Sequence, residues 1–493
     1  MLGAAQVPET NPNALAGVNW IFGKNIWLDF SNGTLSQKRI ISVEILEGTS
    51  SYSDSFNFYY LTGDGGFQSK LHLNDSIITT GFNDDGGQGV LFLVHKSNEN
   101  LWFFGSGRGG NGGYSKIKSD TKTIEYIRFP TDVGEKQQAV NHQNGRDIWY
   151  ANHAREGDSV FFFLLQRRGL LECPVVTRTG LDYNSGEFGW ATQGQMKFSP
   201  DGRFLAEVTS SSPFGYGIYR FDNEYPRTDS IYILQKGFTS DYTKRWAYGL
   251  AFSPNGEKIY VSAGRANDIQ EPNHPPVVYQ LDFDSLKNDV NGSSWVSLDS
   301  LWGIEDGALQ LAPDGKIYCA RPNQTYLSVI NNPNEQGAAC SYVRQGLKLD
   351  SGGTSRYGLP TFNQSYFYTP AIDFQYEEDC FTNTYSFGGR DTLGATSWKW
   401  LFRDIRNETV EVRLDKNVFY SFPQADSLEN KYEVTFIASN GSVSDTVIKT
   451  LTIRPKLTDD FLGRDTFYCE GSNPNLTLQT PANMHCIHWG VGG

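Results

Sequence analysis

MKFSPDGRFLAEV, residues 196–208, is the stretch that decides the fold. An apolar strand runs into Ser-Pro-Asp-Gly, and a second strand leaves it. The pattern returns as LAFSPNGEKIYVSA at 250–263 and as LQLAPDGKIYCA at 309–320, 54 and then 59 residues further on. Pro200, Pro254 and Pro313 preset φ for a tight turn, and Asp201, Asn255 and Asp314 cap it. Gly202, Gly256 and Gly315 supply the position that needs φ > 0. A hairpin recurring at this spacing, with further strands between copies, is the pattern of a β-propeller, whose blades are four-stranded sheets of roughly 40–50 residues. The longer period leaves room for loops such as GRANDIQEPNHPP at 264–276.

The neighbouring sequence obeys the same grammar. NWIFG, FNFYYL, GVLFLV, NLWFFG, DIWYAN and SVFFFLL read as strands, separated by the turns TGDGG (62–66), NDDGGQG (83–89) and SGRGGNGG (106–113). No long amphipathic helix is legible. Residues 18–368 therefore predict an all-β propeller of about seven blades, in which NWIFG (19–23) pairs with a strand near TFNQSYFY (361–368) to close the ring. Near 370 the pattern changes. TNTYSF, SWKWLF, TVEVRL, KYEVTFIAS and TVIKTLTIR predict a small β-sandwich over 369–456. Residues 1–17 form an N-terminal extension, and 457–493 begin a further module of the same kind. Its end, HWGVGG, interrupts a strand pattern and reads as the edge of a longer protein.

Composition narrows the function. The 493 residues carry 42 Lys+Arg against 55 Asp+Glu, a formal charge of −13, which repels phosphate backbones and argues against a nucleic-acid partner. No run of 18 apolar residues is present, so no transmembrane helix is expected. Gly3-Ala4-Ala5 before Gln6 reads as the tail of a removed signal peptide. The six cysteines form no CxxC pair, which argues against zinc. Cys319 with Cys340, and Cys469 with Cys486, are disulfide candidates for an exported protein; buried free thiols fit the spacing equally well.

VNWIFGKNIWLDFSNG (18–33), SYSDSFNFYYLTGDGG (51–66), AVNHQNGRDIWYANH (139–153), MKFSPDGRFLA (196–206) and, most specifically, YGLPTFNQSYFY (357–368) resemble the N-terminal propeller of large surface proteins. These are exported by the type IX secretion system of gliding bacteria. The resemblance covers 18–368 in order and implies following PKD or Ig-like modules and a C-terminal gliding-motility-type sorting domain, expected beyond residue 493 of a longer protein. Trp400-Leu-Phe-Arg-Asp404 and Tyr432–Asn440 resemble a PKD domain, with Arg403 in place of the usual Gly. FYCEGSNPNLTL and His488-Trp-Gly resemble the opening of an Ig-like module. In such proteins an Asp followed by Ser or Thr and an aliphatic residue resembles an O-glycosylation acceptor, as at Asp75, Asp158, Asp229, Asp284, Asp299, Asp391, Asp426 and Asp445. A polar turn feeding a strand explains these tripeptides equally well.

Chemistry-bearing motifs are sparse. There is no GxSxG elbow and no HExxH. His142 and Asp147 in NHQNGRD form the most enzyme-like cluster, which also reads as a blade turn. Asp64, Asp84, Asp85 and the pair Asp282 and Asp284 offer hard oxygen ligands for calcium, yet match no complete calcium loop. His485, Cys486 and His488 lack a second ligand pair for zinc. Trp102, Trp149, Trp190, Trp246 and Trp302 are spread over the blades and would stack on sugars if exposed at a mouth, or pack blade interiors if not. Together these features predict a non-enzymatic adhesin or interaction protein on the outer cell surface. Its propeller would be the binding head and its sandwiches the stalk, with no cofactor except calcium. Its partners would be type IX export or motility components of the outer membrane, or surface glycans. A glycan-binding propeller and a propeller hydrolase are the alternatives.

Overall fold

In the computed structural model the three repeated hairpins open three successive sheets. The model describes residues 16–453 except 54–57, 65–66, 74–75, 84–87, 96–100, 106–111, 118–123, 168, 172, 182, 184–192, 210–215, 235–244, 266–276, 284–294, 300–306, 380–383 and 424–429. In each hairpin the glycine N–H closes the turn: Gly202 donates to Ser199 O at 2.9 Å, Gly256 to Ser253 O at 2.9 Å, and Gly315 to Ala312 O at 3.0 Å. The three glycines sit at φ +73°, +72° and +76°, where a Cβ is strained. The third turn is one residue shorter, since Leu311 pairs with Ile317 where Phe198 pairs with Leu205 and Phe252 with Ile259.

The chain divides into two units, 1–172 with 176–369, and 173–175 with 370–493. The first unit is a series of antiparallel meanders, the propeller-like arrangement. The first sheet is Thr49–Ser53, Phe58–Asp64, Phe67–Leu73 and Ser76–Asn83; the second is Val90–Val94, Leu101–Gly105, Gly113–Ile117 and Ile124–Arg128. The third is Val133–Asn141, Ile148–Ala154 and Ser159–Gln166, flanked by Gly169–Leu170 and Val175–Arg178. The fourth is Met196–Phe198, Phe204–Val208, Tyr216–Phe221 and Thr228–Leu234. The fifth is Arg245–Phe252, Lys258–Arg265, Val277–Asp282 and Val296–Ser297. The sixth is Leu309–Leu311, Ile317–Cys319, Tyr326–Ile330 and Tyr342–Lys348. An N-terminal pair, Asn19–Asp29 and Ser36–Ile45, makes a two-stranded sheet.

The first strands of neighbouring sheets lie side by side, and burial decays outward from them. Val133–Asn141 is buried along nearly its whole length, whereas the last strand of the sixth sheet, Tyr342–Lys348, has no buried residue. Strands flanked by sheets on both faces lose the in–out alternation of a half-solvated sheet. Aromatic contacts lock the sheets together: Phe104 stacks on Tyr150 at 4.1 Å between the second and third, and Phe204 meets Phe283 at 4.5 Å between the fourth and fifth.

The N-terminal pair bridges the first and sixth sheets. Thr49 Oγ1 donates to Ile21 O at 2.9 Å on one side. On the other, Gln37 Nε2 donates to Lys348 O at 2.8 Å, and Trp20 packs on Tyr318 at 5.7 Å. NWIFG and TFNQSYFY meet, with Trp20 and Phe362 rings 5.9 Å apart, but not as ladder partners. The expected strand pair is corrected: Gly23 pairs with Ile45, and the antiparallel bridge to the end of the unit is Lys24 with Thr354.

Residues 357–367 run instead along the innermost strands. Ala308 N donates to Tyr357 O at 2.8 Å, Thr361 N to Thr49 O at 2.8 Å, and Ser50 Oγ to Thr361 O at 2.7 Å. Parallel bridges join Pro360 to Thr49 and Asn363 to Ala139. A Cβ on Gly358 would lie 1.6 Å from Glu47 O, so only glycine passes there. Glutamines serve the remaining inner edges. Gln88 donates to Met196 O (3.0 Å) and accepts from Met196 N (2.7 Å), while Gln195 Oε1 accepts from Leu250 N (2.9 Å) and Leu309 N (3.0 Å). A buried strand edge needs such partners, because an unpaired backbone group away from water is costly.

The second unit contains two antiparallel sheets around one aromatic core. One is Ile372–Asp379, Thr384–Asp391 and Asn417–Ser421; the other is Val410–Arg413, Ser397–Asp404, Asn430–Ser439 and Ser444–Ile453. Trp400 is fully buried among Phe374, Phe387, Phe402 and Phe436, and its Nε1 donates to Asp415 O at 2.8 Å. Arg403, in the place where the resembled motif has Gly, continues the strand and pairs with Glu408 and Glu433.

Candidate functional site

The end of the first unit where the inner strands begin, opposite the Pro-Asp-Gly turns, gathers ionisable groups. Glu135 and Lys136 stand early on Val133–Asn141, His153 near the end of Ile148–Ala154, Tyr183 after the third sheet, and Glu207 and Tyr219 on the fourth sheet. Lys136 Nζ donates to Tyr183 Oη at 2.6 Å, and Tyr183 Oη donates to Glu207 Oε2 at 2.5 Å. Tyr219 Oη donates to Glu207 Oε1 at 3.0 Å, and His153 Nε2 lies 3.8 Å from the same oxygen. The His153 and Tyr183 rings stack at 3.8 Å, and Lys136 Nζ lies 4.3 Å from the Tyr183 ring centroid. All of these side chains are buried.

Burial dominates the electrostatics. It lowers Lys136 to about 8, against the upward pull of Glu207 and Glu135. It also lowers His153, again against Glu207, which keeps the imidazole neutral at neutral pH. Tyr183 is pushed well above the ordinary phenol value by burial and the Glu207 charge. The contacts form a continuous hydrogen-bonded line from amine through phenol to carboxylate. Half-buried Tyr248, on the first strand of the fifth sheet, and Tyr357 place their rings 6.1 Å apart. Burial raises Tyr248 well above the ordinary phenol value, with Glu47 and Glu135 adding to it.

Few of the residues singled out by sequence belong to this site. Trp102 and Trp149 are buried: Trp102 packs on Tyr114 at 5.7 Å, and Trp149 Nε1 donates to Asn223 O at 3.1 Å. They pack blade interiors, which corrects their candidacy as exposed sugar platforms. Trp190, Trp302 and the side chain of Trp246 lie outside the described residues. So do Asp84, Asp85, Asp284 and the side chain of Asp64, while Asp282 accepts from Lys258 Nζ at 2.8 Å. Among the described residues no group of three His, Cys, Asp or Glu side chains could hold a metal ion. Cys319 and Cys340 are buried thiols in one core with no disulfide between them, the second of the two readings their spacing allowed. Cys173 is disulfide-bonded to a partner outside the described residues, where Cys469 and Cys486 also lie. Of the tripeptide hydroxyls, Thr392 and Thr446 are exposed and Ser159 is half-buried.

NHQNGRD is the turn between the first two strands of the third sheet. His142 N donates to Asp147 O at 2.8 Å, and Asn144 Oδ1 accepts from Arg146 N and Asp147 N. Asp147 also meets His95 Nε2 at 3.1 Å, a buried histidine that the sequence did not single out. Burial alone would raise Asp147, but hydrogen bonds from His95 and Asn144 hold it below the ordinary carboxylate value. Sequence reading also missed the Lys136–Glu207 cluster. Its available signal was GEKQQ at 134–138, a run of polar residues leading into the apolar AV of the same strand.

No family model matches the chain, and no curated protein does. Solved structures do. A protein from Lactobacillus plantarum is 12 % identical, with 69 % of this chain and 98 % of that one covered and a TM-score of 0.44. A putative 6-phosphogluconolactonase from Bacteroides fragilis is 13 % identical, with 73 % and 98 % covered and a TM-score of 0.42. The β-propeller domain of Cps50 from Myceliophteria thermophila is 12 % identical, with 62 % and 93 % covered and a TM-score of 0.37. At these identities no activity carries across. The expectation that the chain is not an enzyme is nevertheless corrected: the similar structures include ones described as a putative 6-phosphogluconolactonase and as a puromycin hydrolase.

Proposed function

We propose that the first unit is the recognition head of an exported surface protein, binding glycans on the face where its inner strands begin. In this reading the sheets form a ring of about seven blades closed by the N-terminal pair, and the second unit is a PKD-like spacer. The carrying observation is the pair of half-buried rings, Tyr248 and Tyr357, with the Glu47 carboxylate acting on Tyr248. Aromatic faces stack on sugar C–H surfaces, and carboxylates accept from vicinal hydroxyls. Residues 357–367 occupy the inner edges, which favours binding at the face over passage along the axis. The sequence resemblance supports export by a type IX system and a place at the outer cell surface.

A glycan array probed with the whole chain tests this, followed by calorimetric titration of Tyr357→Ala and Glu47→Gln. Loss of at least about tenfold in affinity, 1.4 kcal/mol, is expected for each variant. No array binding, or unchanged affinity in both variants, refutes it. Co-purification with outer-membrane export components from the native envelope tests the cellular setting. A hydrolase at the same face is the second reading, favoured by the Lys136–Tyr183–Glu207–His153 contacts. It expects bound glycans to be cleaved by the wild type and left intact by Glu207→Gln.

A further inference from the structure

The innermost strand of the fourth sheet sends two polar side chains from one face toward the sixth sheet. Gln195 and Lys197 are two residues apart in extended chain, so they project to the same side. They reach adjoining residues: Gln195 Oε1 accepts from Leu309 N, and Lys197 Nζ donates to Gln310 Oε1 at 2.5 Å. Both side chains are fully or almost fully buried. Gln310 is an uncharged acceptor, and among the described residues no carboxylate pairs with Lys197. Gln195 cannot turn its amide round, because Oε1 already accepts from two backbone N–H groups, Leu250 and Leu309. Its Nε2 is thereby left buried with no acceptor. Two buried donors, one of them an ammonium, thus share a region with too few acceptors. Burying a lone charge is far more costly than burying a paired one.

We propose that Lys197 Nζ and Gln195 Nε2 bind a small monovalent anion, chloride being the simplest, on the inner edge of the first unit. The anion accepts from the amide, which has no other acceptor, and supplies the ammonium with the counter-charge that the neutral Gln310 does not. Burial lowers Lys197 to about 7, so the site is charged and binds best below that pH, and weakens above it as the amine loses its proton. Anion binding and amine protonation are then linked, each favouring the other.

The test compares thermal midpoints of the whole chain in sodium chloride and in sodium gluconate at equal ionic strength, at pH 6 and pH 8. A higher midpoint in chloride at pH 6, a smaller difference at pH 8, and no difference in Lys197→Met are expected. Equal wild-type midpoints in the two salts at pH 6 overturn the proposal, as does a chloride dependence that survives in Lys197→Met. Should that variant fail to fold, anomalous diffraction from wild-type crystals grown in bromide decides. A bromide peak within hydrogen-bond distance of both nitrogens supports the site, and its absence there refutes it.

Discussion

Gln88→Leu isolates the role of a side chain that stands in for a strand. Gln88 is fully buried and grips both polar groups of Met196, accepting from its N–H at 2.7 Å and donating to its C=O at 3.0 Å. Leucine fits the volume and can do neither. The N–H is then unpaired, at a cost of about 1–3 kcal/mol. The carbonyl keeps a long 3.4 Å bond from Gln138 Nε2, so its loss is smaller. The sum is about 2–4 kcal/mol. Urea unfolding should show a lower midpoint with unchanged slope. Hydrogen exchange should show loss of protection in the peptide spanning Met196. Gln37→Leu, which removes bonds at the surface, should stay within about 0.5 kcal/mol. The reasoning is refuted if Gln88→Leu costs no more than Gln37→Leu and the Met196 amide stays protected.

Acid sensitivity should trace to His153 and Asp147. His153 is held below its ordinary 6.5, so the unfolded chain binds its proton first, and stability falls as pH drops through 6.5 toward the folded value. Replacement by Gln should flatten that part of the pH–stability curve. Asp147 is held below 3.8, so its contribution is full above that value and is lost as pH falls through the folded one; His95→Ala should shrink this acid limb. Trp400→Ala should cost the second unit about 3–5 kcal/mol, seen as an earlier calorimetric transition for that unit. Alkylation without reductant should label Cys319 and Cys340 only after unfolding; a disulfide-linked peptide joining them would contradict the structure.

The hairpins at Pro200, Pro254 and Pro313 were legible because their information is local. Proline, the capping residue and glycine fix the turn whatever surrounds it. The strand runs DIWYAN and SVFFFLL were legible for the same reason. What sequence could not show depends on stacking. Glu135, Lys136, Gln137 and Gln138 carry no motif, yet all four are buried, because a first strand has sheets on both sides. Trp102 and Trp149 were placed on the right strands, but their exposure is set by neighbouring sheets. His95 meets Asp147 across 52 residues, and no spacing rule encodes that contact.

Residues 357–367 also set an order for making the protein. Ser50 Oγ waits for Thr361 O, a partner 311 residues later in the chain, and Gln37 reaches Lys348 over the same separation. The first and third sheets hold polar inner edges whose partners are translated after all six sheets. Such contacts close very large loops, which slows folding and leaves early chains with open edges. A nascent or truncated chain ending before residue 357 would carry most of its hairpins and still be prone to pair those edges with another molecule. Synthesis of residues 357–367 is thus the step that gives those inner edges their partners.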